Sequence, residues 1–414
     1  MTDTTSSRPA DFRKVSFSNS IPAALSDYPG YLTPPQIATA YNIPASTGAG
    51  VKIGIFSLGG GFKQSDLNLT FADLVSGGLL PPGTIAPTIK QVLLDDETGT
   101  WGSYAPGDSE NTLDIYCIAT LVPDADITIY IGNYWETVFN RAITDGCHII
   151  TFSWVNTENA GNYLATYLTT AETNKIAITA ASGDWGSSLT GETVLDALYP
   201  SSNPKVISIG GTKLILNSAD NSRDTETDDN RDPDYPSYWG GGGGVSKNYA
   251  LPSWQSGLHY TPIINGVTGT STTLTMRGVP DISAPMNTYI YYENGVIVGS
   301  GGTSASAPVI AGMLARIQAL TGKQRSSAEY NTLFYNHKNS FFDITVGTNN
   351  TQITSGYAGT VDWDPVTGLG PPIGNKVFQY MRNGLRPTSG GVFPNHKFDR
   401  RPTTGMVWPR TKTL

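Results

Sequence analysis

Ser304 stands where a glycine-rich stretch turns into an apolar helical pattern, in GSGGTSASAPVIAGMLARIQAL (residues 299–320). A helix N-terminus leaves backbone N–H groups unpaired and adds a dipole that favours negative charge. A serine at that point can attack a carbonyl whose oxygen becomes an anion. Gly302 and Ala305 are small enough to let a peptide come close. A capping serine would explain Ser304 alone, but the string Gly-Thr-Ser-Ala-Ser-Ala-Pro is far more specific than a cap.

A serine hydroxyl becomes a good nucleophile only beside a base. The chain has four histidines: His148 begins a buried strand pattern, and His259, His337 and His396 lie in loop-like or tail surroundings. A carboxylate is the remaining candidate. Glu110 and Asp114, in GDSENTLDIYCIATLVPDA, are four residues apart at an expected helix start and so share one face. Two carboxyls that close cannot both ionise freely, and the pair can hold one proton and act as base, then acid. Acids placed in a first helical turn for the dipole would look the same. Asp184 ends the strand pattern IAITAASGD. A carboxylic acid kept protonated there could donate a hydrogen bond to an oxyanion, although an Asx turn is the ordinary use of a loop Asp.

Elements of a regular kind are needed to bring these residues together. From about residue 50, short apolar runs (VKIGIFSL, ITIYIG, HIITFSW, IAITAASGD, KVISIGGTKLIL) alternate with helical patterns, one from Glu110, then TVFNRAITDG and NYLATYLTTAETN. This alternation predicts an α/β fold with a predominantly parallel central sheet covered by helices on both faces. Functional residues then fall beyond the carboxyl ends of the strands. Residues 218–248, acidic and then glycine-rich, are expected to form an exposed loop inserted in the same domain.

In their order, Glu110-x-x-x-Asp114, Ser-Gly-Asp184 and Gly-Thr-Ser304-x-Ser-x-Pro resemble the sedolisin, or serine-carboxyl peptidase, family, whose fold is subtilisin-like. YLTPPQIATAYNIP, IFSLGGGF, GGGGGVSKNYALPSWQ, RGVPDISAP and DWDPVTGLGPP extend the similarity over roughly residues 30–384. The resemblance implies an endopeptidase or tripeptidyl-peptidase working at acidic pH. In it Ser304 would attack, Glu110 serve as general base, Asp114 orient it and Asp184 complete the oxyanion hole. It further implies substrate contacts from Ser153 and Trp154, on one wall of the cleft, and from Gly183, Gly302 and Thr303. One Ca²⁺ is implied on the side chains of Asp343 and Asp364 and the carbonyls of Ile344, Thr360 and Asp362, a hard-oxygen set that suits the ion. Thr360 and Asp362 stand where relatives usually have glycine, and Ser57 stands where some relatives have an acid. The pair is therefore expected to keep its form with altered surroundings.

Composition sets the remaining bounds. A net charge of -8 argues against nucleic acid or an anionic membrane as the main partner. With 38% hydrophobic residues the chain can build a soluble globular core, and no run nears the roughly 18 apolar residues of a membrane span. Cys117 and Cys147 are expected as buried thiols. The expected division is an N-terminal extension (1–29), a peptidase domain (30–384) and a C-terminal tail (385–414) that docks on another chain or assembly if it is ordered. Residues 1–29 are too short for the long prosegment of relatives and lack the apolar core of a signal peptide. Localisation is thus open between an acidic or secreted compartment and a larger particle. A packaged or structural component that retains the fold is the competing reading.

Overall fold

The computed structural model describes residues 24, 25, 28, 30–158, 163–188, 195–228, 239–350 and 354–383, and the backbone of the strands Arg8–Pro9 and Arg13–Ser16. The expected tail 385–414 and most of the expected extension 1–29 lie outside the described residues.

Eight strands form the central sheet. They are β1 (Lys52–Leu58), β2 (Lys90–Leu93), β3 (Asp126–Gly132), β4 (Ile149–Phe152), β5 (Ala177–Ala181), β6 (Ile207–Leu216), β7 (Arg223–Asp228) and β8 (Ile282–Pro285). Their order is β7-β6-β5-β4-β1-β3-β2, with β8 also on β6. Every pairing is parallel except β6 with β7. The apolar runs account for this, because a strand covered on both faces cannot alternate with polar residues. Along β1, Ile53 and Ile55 enter one hydrophobic layer while Phe56 and Leu58 enter the other.

Two long helices run through the first layer, α1 (Ala105–Leu121) and, much later, α4 (Thr303–Thr321), with shorter helices around them. In the second layer lie α2 (Trp135–Thr144) and α3 (Ala165–Thr173). From Gly107 to Leu121 every residue of α1 is buried, polar ones included. A helix enclosed on all sides has no solvent stripe, so its carboxyl groups lie in the core. The helix starts earlier than the sequence suggests: Glu110 is its sixth residue, beyond the first turn where the dipole acts. The acid in that turn is Asp108, which accepts the N–H groups of Gly61 and Gly102 at 2.7 Å each.

The expected exposed loop at 218–248 is a correction. Residues 223–228 form the antiparallel edge strand β7, and Gly240–Gly244 are buried; residues 229–238 lie outside the described residues. The sequence RDTETD lacks an apolar pattern, and tertiary partners hold it instead. Glu226 is buried, accepts the hydroxyls of Tyr41 (2.5 Å) and Thr212 (2.7 Å), and pairs with Arg223 at 2.7 Å. The Arg223 guanidinium also packs on the rings of Tyr41 and Phe342, 5.0 and 4.4 Å from their centroids.

Two of the smaller sheets border the site. A hairpin, Tyr289–Glu293 and Val296–Gly301, leads directly into α4, and Arg13–Ser16 pairs with its second strand. The strand Trp154–Thr157 is flanked on one side by Arg8–Pro9 and on the other by Leu198–Tyr199. Cys117 and Cys147 are both buried and unbridged. Among the described residues no helix is long and apolar enough to cross a membrane.

Candidate active site

The carboxyl ends of β4 and β5 and the start of α4 converge over α1. Gly302, at φ 114°, precedes the helix, and Ser304 is the second helical residue. That φ lies in the region open to glycine. The structure brings Glu110, Asp114, Ser153, Asp184, Thr303 and Ser304 into one group, each completely or almost completely buried.

Ser153 is the hinge of the group. Its hydroxyl donates to Asp114 Oδ1 at 2.7 Å and lies 3.2 Å from the Ser304 carbonyl, and its own carbonyl accepts the Ser304 hydroxyl at a long 3.5 Å. Among the described residues, neither oxygen of Glu110 nor Asp114 Oδ2 accepts a well-formed hydrogen bond. Burial drives the pKa of Glu110 well above the ordinary carboxylate range, and the charge of Asp114 drives it further. The neighbouring hydroxyls of Ser304 and Ser153 oppose this by favouring the charged form. Asp114 is likewise raised by burial, with Ser153 working against it. A pair so enclosed holds a proton where exposed carboxyls would have lost theirs.

A carboxyl whose folded pKa is raised contributes stability that is complete below its unfolded value, near about 4, and is lost as pH rises through the folded value. Tm should therefore fall as pH climbs above the ordinary carboxylate range. In a Glu110→Gln/Asp114→Asn double variant, followed by calorimetry across pH, that part of the fall should vanish. An unchanged Tm–pH curve would remove the pair from the account.

Asp184 is gripped from α4. The Thr303 N–H and the Thr303 hydroxyl both donate to Asp184 Oδ1, each at 2.7 Å, and Gly183 N–H donates to Thr303 Oγ1 at 3.1 Å. The buried glycine run lies alongside: Gly240 N–H donates to the Asp184 carbonyl at 3.1 Å and Gly242 N–H to the Gly183 carbonyl at 2.7 Å. A Cβ on Gly242 would come within 2.1 Å of the Ser182 carbonyl oxygen, so this approach requires glycine. Sequence reasoning missed that role, since five consecutive glycines look like a loop.

Other expected residues have their side chains engaged elsewhere. The Trp154 ring is buried in the second layer and stacks over Tyr104 at 6.3 Å. The Ser57 hydroxyl bonds to Asn111 Oδ1 at 2.5 Å and the Gly59 carbonyl at 3.2 Å, outside the Glu110–Asp114 group. His148 Nδ1 accepts the Lys52 N–H at the amino end of β1, and His337 stacks flat on Tyr380.

The expected calcium ligands lie in two loops that meet. Asp343 Oδ2 accepts the Asp362 N–H at 2.9 Å, while Asp364 accepts those of Thr360, Val366 and Thr367 at 2.8 to 2.9 Å. Burial pushes the Asp364 carboxyl up to about 7, and the nearby charge of Asp343 adds to the shift. Among the described residues no hydrogen bond ends on the carbonyls of Ile344, Thr360 or Asp362. Nor do three or more His, Cys, Asp or Glu side chains gather there into a metal cluster. Two carboxylates with idle carbonyls between them fit a hard cation. Asp362 keeps a positive φ of 72°, so the turn retains a glycine-like backbone there without glycine.

A subtilase family model matches residues 108–357, a span that includes Glu110, Asp184 and Ser304. The chain is 33% identical to kumamolisin of Bacillus sp. (strain MN-32) over 377 residues, covering 85% of this chain and 64% of that one. It is 37% identical to tripeptidyl-peptidase 1 of Dictyostelium discoideum over 148 residues, 34% of this chain and 25% of that one. The chain thus spans less than two thirds of the length of these relatives. A Pseudomonas sedolisin, a serine-carboxyl proteinase solved with two molecules of pseudo-iodotyrostatin, superposes with a TM-score of 0.70 at 23% identity, over 87% of this chain and 99% of that one. The fold is therefore subtilisin-like. The chain belongs to the subtilase family, in its sedolisin branch.

Proposed function

We propose that this chain hydrolyses peptide bonds at acidic pH through an acyl-enzyme on Ser304, with Glu110 as general base and acid, Asp114 orienting it and Asp184 at the oxyanion. The observation that carries this reading is the enclosure of two carboxyls, one helical turn apart, beside a serine at the start of α4. Attack forms the Oγ–C bond, moves the hydroxyl proton to Glu110 and leaves the carbonyl electron pair as an oxyanion facing Asp184. Collapse breaks the C–N bond, and Glu110 returns the proton to the leaving amine. Water then attacks the ester by the same route and frees the acid. Asp184 must be protonated to donate its proton, which places the working range on the acid side, and within the coupled pair Glu110 must be the ionised member, with Asp114 keeping the proton the pair retains.

The substrates are peptides or proteins, cleaved internally or as tripeptides. Measuring kcat/KM on a peptide library across pH tests the reading: hydrolysis should peak at acidic pH. A neutral optimum, or no hydrolysis, would overturn it.

Calcium belongs to the same proposal, on Asp343, Asp364 and the carbonyls of Ile344, Thr360 and Asp362. When bound, the ion would neutralise two carboxylates and tie the loop at 343 to the turn at 360–364. Chelator should lower Tm, and Asp364→Asn should blunt that response, read by thermal melts with and without added Ca²⁺. A Tm indifferent to chelator in the parent protein would dismiss the site.

A further inference from the structure

We infer that Thr303 fixes which oxygen of Asp184 carries the carboxyl proton, and so aims that proton toward the oxyanion; the inference deepens the role proposed for Asp184 and rests on it. One donor in this chain of hydrogen bonds is fixed by chemistry. Gly183 N–H can only donate, and it donates to Thr303 Oγ1 at 3.1 Å. The Thr303 hydroxyl donates onward to Asp184 Oδ1 at 2.7 Å. The Thr303 backbone N–H, one of the first-turn donors that α4 cannot use internally, reaches the same oxygen at 2.7 Å.

A carboxyl oxygen has two lone pairs. With two donors on Oδ1, the proton of neutral Asp184 belongs on Oδ2. Oδ2 lies on the Gly302 side, where a Cβ on that glycine would come within 2.5 Å of it, and Gly302 is two residues before Ser304. Without the hydroxyl, the carboxylic acid could turn over and exchange its two oxygens. Asp184 and Thr303 are both wholly buried, so water is not at hand to replace a missing donor.

The test compares Thr303→Val, which keeps the shape and the N–H but loses the hydroxyl, with Thr303→Ser, which keeps both donors. Asp184→Ala runs alongside. The probes are the fastest-cleaved fluorogenic library peptide and, with the same sequence, a peptide aldehyde and its alcohol. On the aldehyde the Ser304 Oγ–C bond forms, the hydroxyl proton passes to Glu110, and the carbonyl oxygen takes the electron pair at the oxyanion position. The alcohol cannot be attacked in this way.

In Thr303→Val, kcat should fall roughly tenfold with KM within about twofold, and the aldehyde should lose a similar factor of its advantage over the alcohol. Thr303→Ser should hold both quantities near the parent values. The inference is overturned if a folded Thr303→Val keeps the parent kcat and aldehyde preference while Asp184→Ala loses both, or if Thr303→Ser loses as much as the valine variant. Retention of both quantities in Asp184→Ala would instead sink the oxyanion role itself. Should the valine variant not fold, Thr303→Ala removes the same hydroxyl and is read in the same way.

Discussion

Replacing Ser304 with alanine should lower kcat/KM on any cleaved peptide by roughly 10⁴-fold or more, the scale on which removing a nucleophile acts in serine hydrolases. Stability should change far less than activity, because alanine keeps the backbone of α4 and the hydroxyl's contact with the Ser153 carbonyl is a long 3.5 Å. Glu110→Gln should match the loss, and the double variant should be little worse than either single one, since nucleophile and base act as a unit. Tm should hold or rise in Glu110→Gln, where a neutral amide replaces a carboxyl whose ionisation burial opposes. Steady-state kinetics and melting curves on the three proteins decide the matter. Undiminished hydrolysis in either single variant would refute the mechanism.

The second large effect is on stability and lies at the amino ends of β6 and β8. Arg277 and Asp281 are wholly buried and joined by two bonds of 2.6 and 2.5 Å. Asp281 also accepts the Tyr335 hydroxyl at 3.0 Å and the Ser208 N–H at 2.8 Å. Burial works against the charge of Arg277, and Asp281 with Tyr335 outweighs it, leaving the pKa above its ordinary value. Asp281→Ala strands a guanidinium in the core and should cost about 3–5 kcal/mol. The same segment anchors the expected calcium turn, since Trp363 Nε1 donates to the Pro280 carbonyl at 2.8 Å. Asp281→Ala should therefore also weaken the chelator response. Denaturant titration reads the first quantity, and a loss below about 1 kcal/mol would show that the pair is not held as described.

Much of this was legible in the chain because it is written locally. The apolar runs from VKIGIFSL onward specify strands covered on both faces, and GTSASAP marks a helix start with a serine on it. Glu110 and Asp114 share a helical face wherever that helix begins, so misplacing its start did not disturb their pairing. What escaped was held by distant partners. RDTETD is a strand only because β6, Tyr41 and Thr212 receive it. The grip of Thr303 on Asp184 joins residues 119 apart in sequence. Ser153 was picked out for the cleft wall, but no local pattern could reveal that its hydroxyl turns to Asp114.

The strand Trp154–Thr157 has neighbours on both sides, and one of them is the chain's own Arg8–Pro9, with Pro9 opposite Trp154 and Arg8 opposite Val155. Extended peptides gain affinity by adding themselves to an open strand edge. Beside Ser153 that edge is already taken, by a segment that cannot diffuse away. A short tether counts as a competitor at an effective concentration on the order of millimolar. Were a substrate strand to use this edge, a KM measured on the intact chain would be the outcome of a contest between two strands, one free and one attached.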